Sequence, residues 1–111
     1  MVISNPSAQI SRRIFLQSKN VNTQVKIDEI IYIEASGNYT KIATPKETIN
    51  IREKISTVLE LLPKEDFLPV HKSFAVAPIH INRIEGNQIF IAESIIPIGK
   101  MYKTNVQQIL C

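Results

Sequence analysis

Short β-type runs rich in residues branched at Cβ recur along this chain, and a period near 3.6 appears in only two places. Short alternating or apolar runs at Ile14–Ser18, Val25–Ile27, Ile31–Ala35, Tyr39–Thr44 and Glu47–Ile51 predict strands, since successive strand side chains face opposite sides. Val70–His71, Phe74–Val76, Ile81–Glu85, Gln88–Ala92 and Ser94–Ile98 read the same way. Between Arg52 and Leu62 the apolar residues Ile55, Val58, Leu59 and Leu62 recur at i, i+3, i+4 and i+7. Glu53, Lys54, Thr57 and Glu60 take the other side and Pro63 ends the run, which predicts one amphipathic helix laid on a sheet. Tyr102, Val106, Ile109 and Leu110 repeat at i, i+4, i+7 and i+8, so a short C-terminal helix is expected from Met101 onward.

The turns fit this mainly β reading. Gly37-Asn38 and Gly86-Asn87 each interrupt two β-type runs with residues that accept positive φ, as a two-residue hairpin requires. Pro45-Lys46-Glu47 supplies a third hairpin turn, because proline fixes φ and cannot continue a ladder. Composition agrees: 20 isoleucines stand against 6 leucines, and side chains branched at Cβ favour strands. Residues 1–11, small and polar with Pro6, read as a loose tail or linker, and residues 12–111 as one domain.

A chain of 111 residues excludes a multi-domain enzyme. No apolar run approaches the roughly 18 residues of a membrane span, so no membrane insertion is expected. The N-terminus lacks the basic start and apolar stretch of a secretory signal, and the lone cysteine, Cys111, has no internal partner. A cytoplasmic setting follows as the expectation. The net charge of +3 is modest, but its distribution is uneven: residues 1–26 carry +4, residues 27–70 carry −3 and residues 71–111 carry +2.

Most chemistry finds no footing. His71 and His80 lie nine apart with neither a second cysteine nor an adjacent carboxylate, so no metal site and no cofactor is expected. His71 and Ser73 lack a third group to orient them as base and nucleophile, and no glycine-rich phosphate loop is present; the chain is not expected to be an enzyme. The seven aromatic residues do not form a stacking platform for single-stranded RNA, and no helix-turn-helix appears. DNA would have to be read with strands and loops.

Four blocks, in order, resemble the LytTR family of bacterial DNA-binding domains. They are Asp28–Ala35 followed by Gly37-Asn38-Tyr39-Thr40-Lys41-Ile42; the helical stretch Ile51–Leu62; Phe67-Leu68-Pro69-Val70-His71-Lys72-Ser73-Phe74-Ala75-Val76; and Ile96-Pro97-Ile98-Gly99-Lys100-Met101-Tyr102. The match runs from Arg13 to Leu110, and the His-Lys-Ser-Phe block is its most specific part. The resemblance implies three small antiparallel sheets with one amphipathic helix and a short C-terminal helix. It implies double-stranded promoter DNA as the partner, usually at paired direct repeats read by loops in successive major grooves. A homodimer on DNA and a regulatory protein partner are compatible with it. Many members are output domains of two-component response regulators. This chain has no room for a receiver domain beside the matched region, so it is expected to act alone or as a piece of a longer regulator.

Carried over by position, the resemblance makes Lys72, Lys100 and Thr40, with neighbouring Tyr39 and Lys41, the base-reading residues. Lys103 sits near the N-terminal end of the last helix, His71 is expected to be structural more than contacting, and the Ser73 hydroxyl to bond backbone or phosphate. Tyr39 and Phe74 are expected to pack, while Arg12, Arg13 and Arg52 are phosphate-steering candidates. Two departures stand out: Ala77-Pro78 follows the phenylalanine block where the family usually has asparagine, and Gly99-Lys100 replaces a common Ser-Arg. Lysine is a point charge where arginine offers a planar fork to guanine. The rival reading is a β-rich protein-interaction module that has lost DNA binding.

Overall fold

The computed structural model describes residues 12–110; the predicted tail over residues 1–11 and Cys111 lie outside them. Ten strands and two short helices follow in the order β1 (Arg13–Ser18), β2 (Val21–Lys26), β3 (Tyr32–Ser36), β4 (Tyr39–Ala43), β5 (Thr48–Ile51), α1 (Ile55–Glu60), β6 (Leu68–His71), β7 (Phe74–Val76), β8 (Ile81–Glu85), β9 (Gln88–Ile91), β10 (Ser94–Pro97) and α2 (Lys103–Gln107). Single 3-10 turns occupy Ile27–Glu29, Lys64–Asp66, Pro78–His80 and Lys100–Tyr102. The strands form three antiparallel sheets, β1-β2, β5-β4-β3-β7-β6 and β10-β9-β8.

The central five-stranded sheet separates two cores. Cross-strand partners share a face, so the pairs Ile33 with Ile42, Ile33 with Ala75, Ile42 with Ile49 and Thr40 with Ile51 put Ile33, Thr40, Ile42, Ile49, Ile51 and Ala75 on one side. There they pack with Leu16 and Val25 of the β1-β2 hairpin and with Val58 and Leu62 of the α1 region. The opposite face carries Tyr32, Phe74 and Val76, which close a second core with Val70, Ile89, Ile91, Ile96 and Val106. Each fully buried isoleucine contributes about 1.5–3 kcal/mol of transfer free energy, and Ile33, Ile42, Ile89 and Ile91 expose none of their surface. The isoleucine-rich strands are thus buried on both faces at the centre of the sheet, which is why clean alternation fades in β3 and β7.

Three expectations are corrected. The second strand begins at Val21, not Val25, because Lys19-Asn20 makes a tight hairpin turn with Lys19 at φ 60°. That turn lacks glycine, and Val21-Asn22-Thr23-Gln24 has little apolar pattern because only Val25 of β2 is buried. The predicted helix Arg52–Leu62 shrinks to Ile55–Glu60, since Lys54 is extended (ψ 151°) and the buried Thr40 Oγ1 donates to the Glu53 carbonyl at 2.6 Å. Ala92, expected to end a strand, instead opens with Glu93 a further hairpin turn between β9 and β10, with Ala92 at φ 52°.

The remaining turns behave as the chemistry of their residues requires. Gly37 and Gly86 take φ 61° and 58°, and the Pro45–Glu47 turn is closed by Thr44, whose Oγ1 donates to the Glu47 carbonyl at 2.7 Å. β6 contains Pro69 and a register shift before His71, both tolerated at a sheet edge. Among the described residues no helix is long and apolar enough to cross a membrane. No group of three or more His, Cys, Asp or Glu residues is gathered there as metal ligands.

Candidate nucleic-acid interface

Strand direction brings turns from all three sheets to one end of the molecule. In the central sheet β3 ends at Ser36 opposite Tyr39, β7 begins at Phe74 opposite Glu34, and His71 pairs with Phe74. Gly37-Asn38 and Lys72-Ser73 therefore protrude side by side, and the Ser73 carbonyl accepts the Ala35 N–H at 2.8 Å. Ile51, paired with Thr40, leads Arg52–Lys54 out at the same end, where they border a cleft with Gly37, Asn38 and Tyr39. The third sheet joins through Gly99, whose N–H donates to the Val70 carbonyl at 2.7 Å, and through Ile98, whose N–H donates to Asn87 at 2.8 Å. The Lys19-Asn20 tip of the β1-β2 hairpin shares a groove with Ser36 and Tyr39.

His71 joins two of these segments. Its Nδ1 accepts the Ser73 backbone N–H at 3.1 Å, closing the turn that presents Lys72, and its ring stands edge-on to Phe74 at 5.6 Å. On its other side the chain passes so close at Gly99 that a Cβ there would lie 3.4 Å from His71 Cα and 3.1 Å from Tyr102 Cδ2. A glycine at this position lets the Lys100 segment lie against β6. α2 is pinned to the same strand by Asn105, whose Nδ2 donates to the Pro69 carbonyl at 3.1 Å, and this sets Lys100 and Lys103 at the edge of the site.

Lys72, Lys100 and Lys103 are exposed, and Lys41 is half-buried on β4 beside Glu34 and Asn50. The ion pairs among the described residues involve only Arg12 and Arg83, so no carboxylate within 4.0 Å neutralises these lysines. Ser73 is half-buried, with both of its backbone polar groups engaged. Phe74 packs against Tyr32 and His71.

Three residues depart from their expected roles. Thr40 has no exposed surface and spends its hydroxyl on Glu53, so it is a core residue that holds the Arg52–Lys54 segment and not a surface contact. The reason is strand parity: Thr40 lies two positions from Ile42, on the same buried face. Tyr39, one position earlier, points the other way and is 42% exposed instead of packed. Arg12 lies at the opposite end, paired with Asp66 and, at 2.6 Å, with Asp28; these partners raise its pKa, Asp66 most strongly, and occupy its guanidinium. Arg13 borders a groove at that far end with Lys26 and Glu29. There too His80 Nε2–H donates to the Asp28 carbonyl at 2.6 Å.

Arg52 does reach the turn-bearing end, and it brings Lys54 and Asn38, which the sequence reading did not single out. Lys54 was hidden because the apolar period extends the helix backward through it. A threonine hydroxyl capping a carbonyl thirteen residues away has no sequence signature.

No curated protein matches the chain. Among solved structures, a LytTr DNA-binding domain from Bacillus cereus superposes with a TM-score of 0.75 at 20% identity, covering 86% of this chain and 94% of that one. At that identity the likeness concerns the fold, three small antiparallel sheets with few helices. The family model described as LytTr DNA-binding domain matches residues 20–111, and the chain belongs to that family.

Proposed function

We propose that this protein binds double-stranded promoter DNA in a sequence-specific manner and acts as a bacterial transcriptional regulator. The family is one of DNA-binding domains, not of enzymes, and the similar Bacillus cereus domain is described as part of a response regulator. The observation that carries the proposal is the gathering of Lys72 and Lys100 on adjoining segments at one end, without carboxylate partners. In this reading the Lys72 turn and the Lys100 segment enter the major groove, where a lysine reaches guanine O6 and N7 or a backbone phosphate. Tyr39 and Ser73 flank them, Lys41 and Lys103 approach phosphates, and His71 positions the Lys72 turn. Paired direct repeats, a homodimer on DNA and a regulatory protein partner belong to the same proposal, as do a cytoplasmic location and a role alone or as a response-regulator output domain.

The test is selection of binding sites from a random duplex library at near-physiological salt, followed by titration of Lys72→Ala and Lys100→Ala. Each variant should lose about 1–3 kcal/mol and relax preference at one position if its lysine reads a base. Each should instead lower the salt slope by about one if its lysine holds a phosphate. A wild-type protein that enriches no sequence, and whose weak binding vanishes as salt rises, would leave the protein-interaction reading standing.

A further inference from the structure

The β1-β2 hairpin carries an unexplained local conflict. Its two-residue turn places Lys19 at φ 60°, a left-handed conformation disfavoured for any residue with a Cβ and usually filled by glycine or asparagine. Asn20 sits next to it, so the neighbouring position has the residue type the turn prefers. The lysine is exposed and at the tip of a hairpin whose apolar contacts are made further down by Leu16 and Val25, so packing does not account for it.

What the position does achieve is to hold an ammonium group over a groove. The hairpin tip and the outer face of β4-β5 form its walls, lined by Lys19, Ser36, Tyr39, Lys41 and Asn50. Tyr39 also borders the cleft beside Gly37-Asn38, so the groove continues directly from the turn-bearing end. Its one acid, Glu47, is at the opposite end of the β4-β5 pair, beyond Thr48. Among the described residues no carboxylate lies within 4.0 Å of Lys19 or Lys41. Lys19 on one wall, with Lys41, whose cross-strand neighbour is Glu34, a phenol, a hydroxyl and an amide on the other, suits a chain of phosphodiesters, whose oxygens accept from all of them. Lys19 also precedes the residues matched by the family model, 20–111, so this contact is not one that the match itself supplies.

We propose that this groove takes the sugar-phosphate backbone of duplex DNA flanking the bases read by the turns, with Lys19 as its outer phosphate contact. The inference rests on the proposed DNA-binding function and extends the bound site past Tyr39 and Lys41 to the hairpin tip.

Lys19→Gly separates charge from fold, because glycine accepts φ 60° without strain. The variant should unfold at a urea concentration no lower than that of the wild type. Its duplex binding should show a salt slope smaller by about 0.9, which at 0.1 M salt is a loss of about eightfold. The loss should be equal for selected and random duplexes, since a phosphate contact carries no base preference. Lys19→Arg should keep the wild-type slope, and Lys26→Ala, at the far end of the same hairpin, should keep both slope and affinity. A wild-type slope in Lys19→Gly, or an equal loss in Lys26→Ala, would overturn the groove contact while wild-type binding still upheld the DNA-binding function. A wild-type protein that binds no duplex at any salt would remove both.

Discussion

Replacing Thr40 with valine separates a core role from a DNA-contacting one. Thr40 sits in β4 with no exposed surface, and its hydroxyl donates at 2.6 Å to the carbonyl of Glu53, two residues after its strand partner Ile51. Valine keeps the shape, the branching at Cβ and the ladder hydrogen bonds, and removes only the hydroxyl proton and oxygen. A typical internal hydrogen bond contributes about 0.5–1.5 kcal/mol. Glu53 is exposed as a residue, while its carbonyl meets the hydroxyl of a residue with no exposed surface, so the freed acceptor adds to the loss wherever water does not reach it. The new methyl cannot sit at hydrogen-bonding distance from a carbonyl oxygen and pushes the Arg52–Lys54 segment outward, which cancels much of its own burial. The net effect should be a loss of about 1 kcal/mol, or a fall in melting temperature of about 4 °C for a domain this size. Urea unfolding should show a lower midpoint with an unchanged m-value. Thr40→Ser keeps the hydroxyl and should leave duplex binding intact, at a stability cost from the missing methyl. If Thr40→Val proved as stable as the wild type yet bound duplex DNA more weakly, the hydroxyl would face the DNA and the assignment to the core would be wrong.

Two further substitutions probe the turns. His71→Ala removes the acceptor for the Ser73 N–H and the packing against Phe74 and Gly99, and duplex affinity should fall about tenfold, roughly the 1.4 kcal/mol expected for a freed turn. His71→Asn should recover most of that, since an asparagine oxygen accepts from the N–H two residues on; equal losses in a gel-shift titration would dismiss the positioning role. Ala92→Gly relieves a left-handed alanine at φ 52° in an exposed turn and should raise stability by about 0.5–1 kcal/mol, once the greater freedom of glycine in the unfolded chain is subtracted. A lower urea midpoint would show that the turn is not strained.

Much of the fold was legible because a strand writes its burial into every second residue, and the glycine and proline turns punctuated the strands at 37–38, 45–47 and 86–87. The turns at 19–20 and 92–93 escaped because Lys19 and Ala92 adopt positive φ without being the residues that ordinarily advertise it. Parity also explains which parts of the site could be read. Tyr39, Thr40 and Lys41 were nominated together from one block, yet consecutive strand residues point to opposite faces, so Thr40 could not share the exposure of Tyr39. Lys72 needed no such decision, being in a turn.

What no single block could reveal is assembly. Lys72 and Lys100 are 28 positions apart, and their proximity depends on Gly99 lying against His71 through a close approach that only the folded chain displays. At Gly99, where many family members have serine, a Cβ would lie at ordinary contact distance, 3.4 Å, from His71 Cα and 3.1 Å from Tyr102 Cδ2, so a side chain there requires the Tyr102 ring to give by a few tenths of an ångström. Gly99 and Lys100 are then two halves of one arrangement, a backbone seated close against β6 carrying a less directional cation.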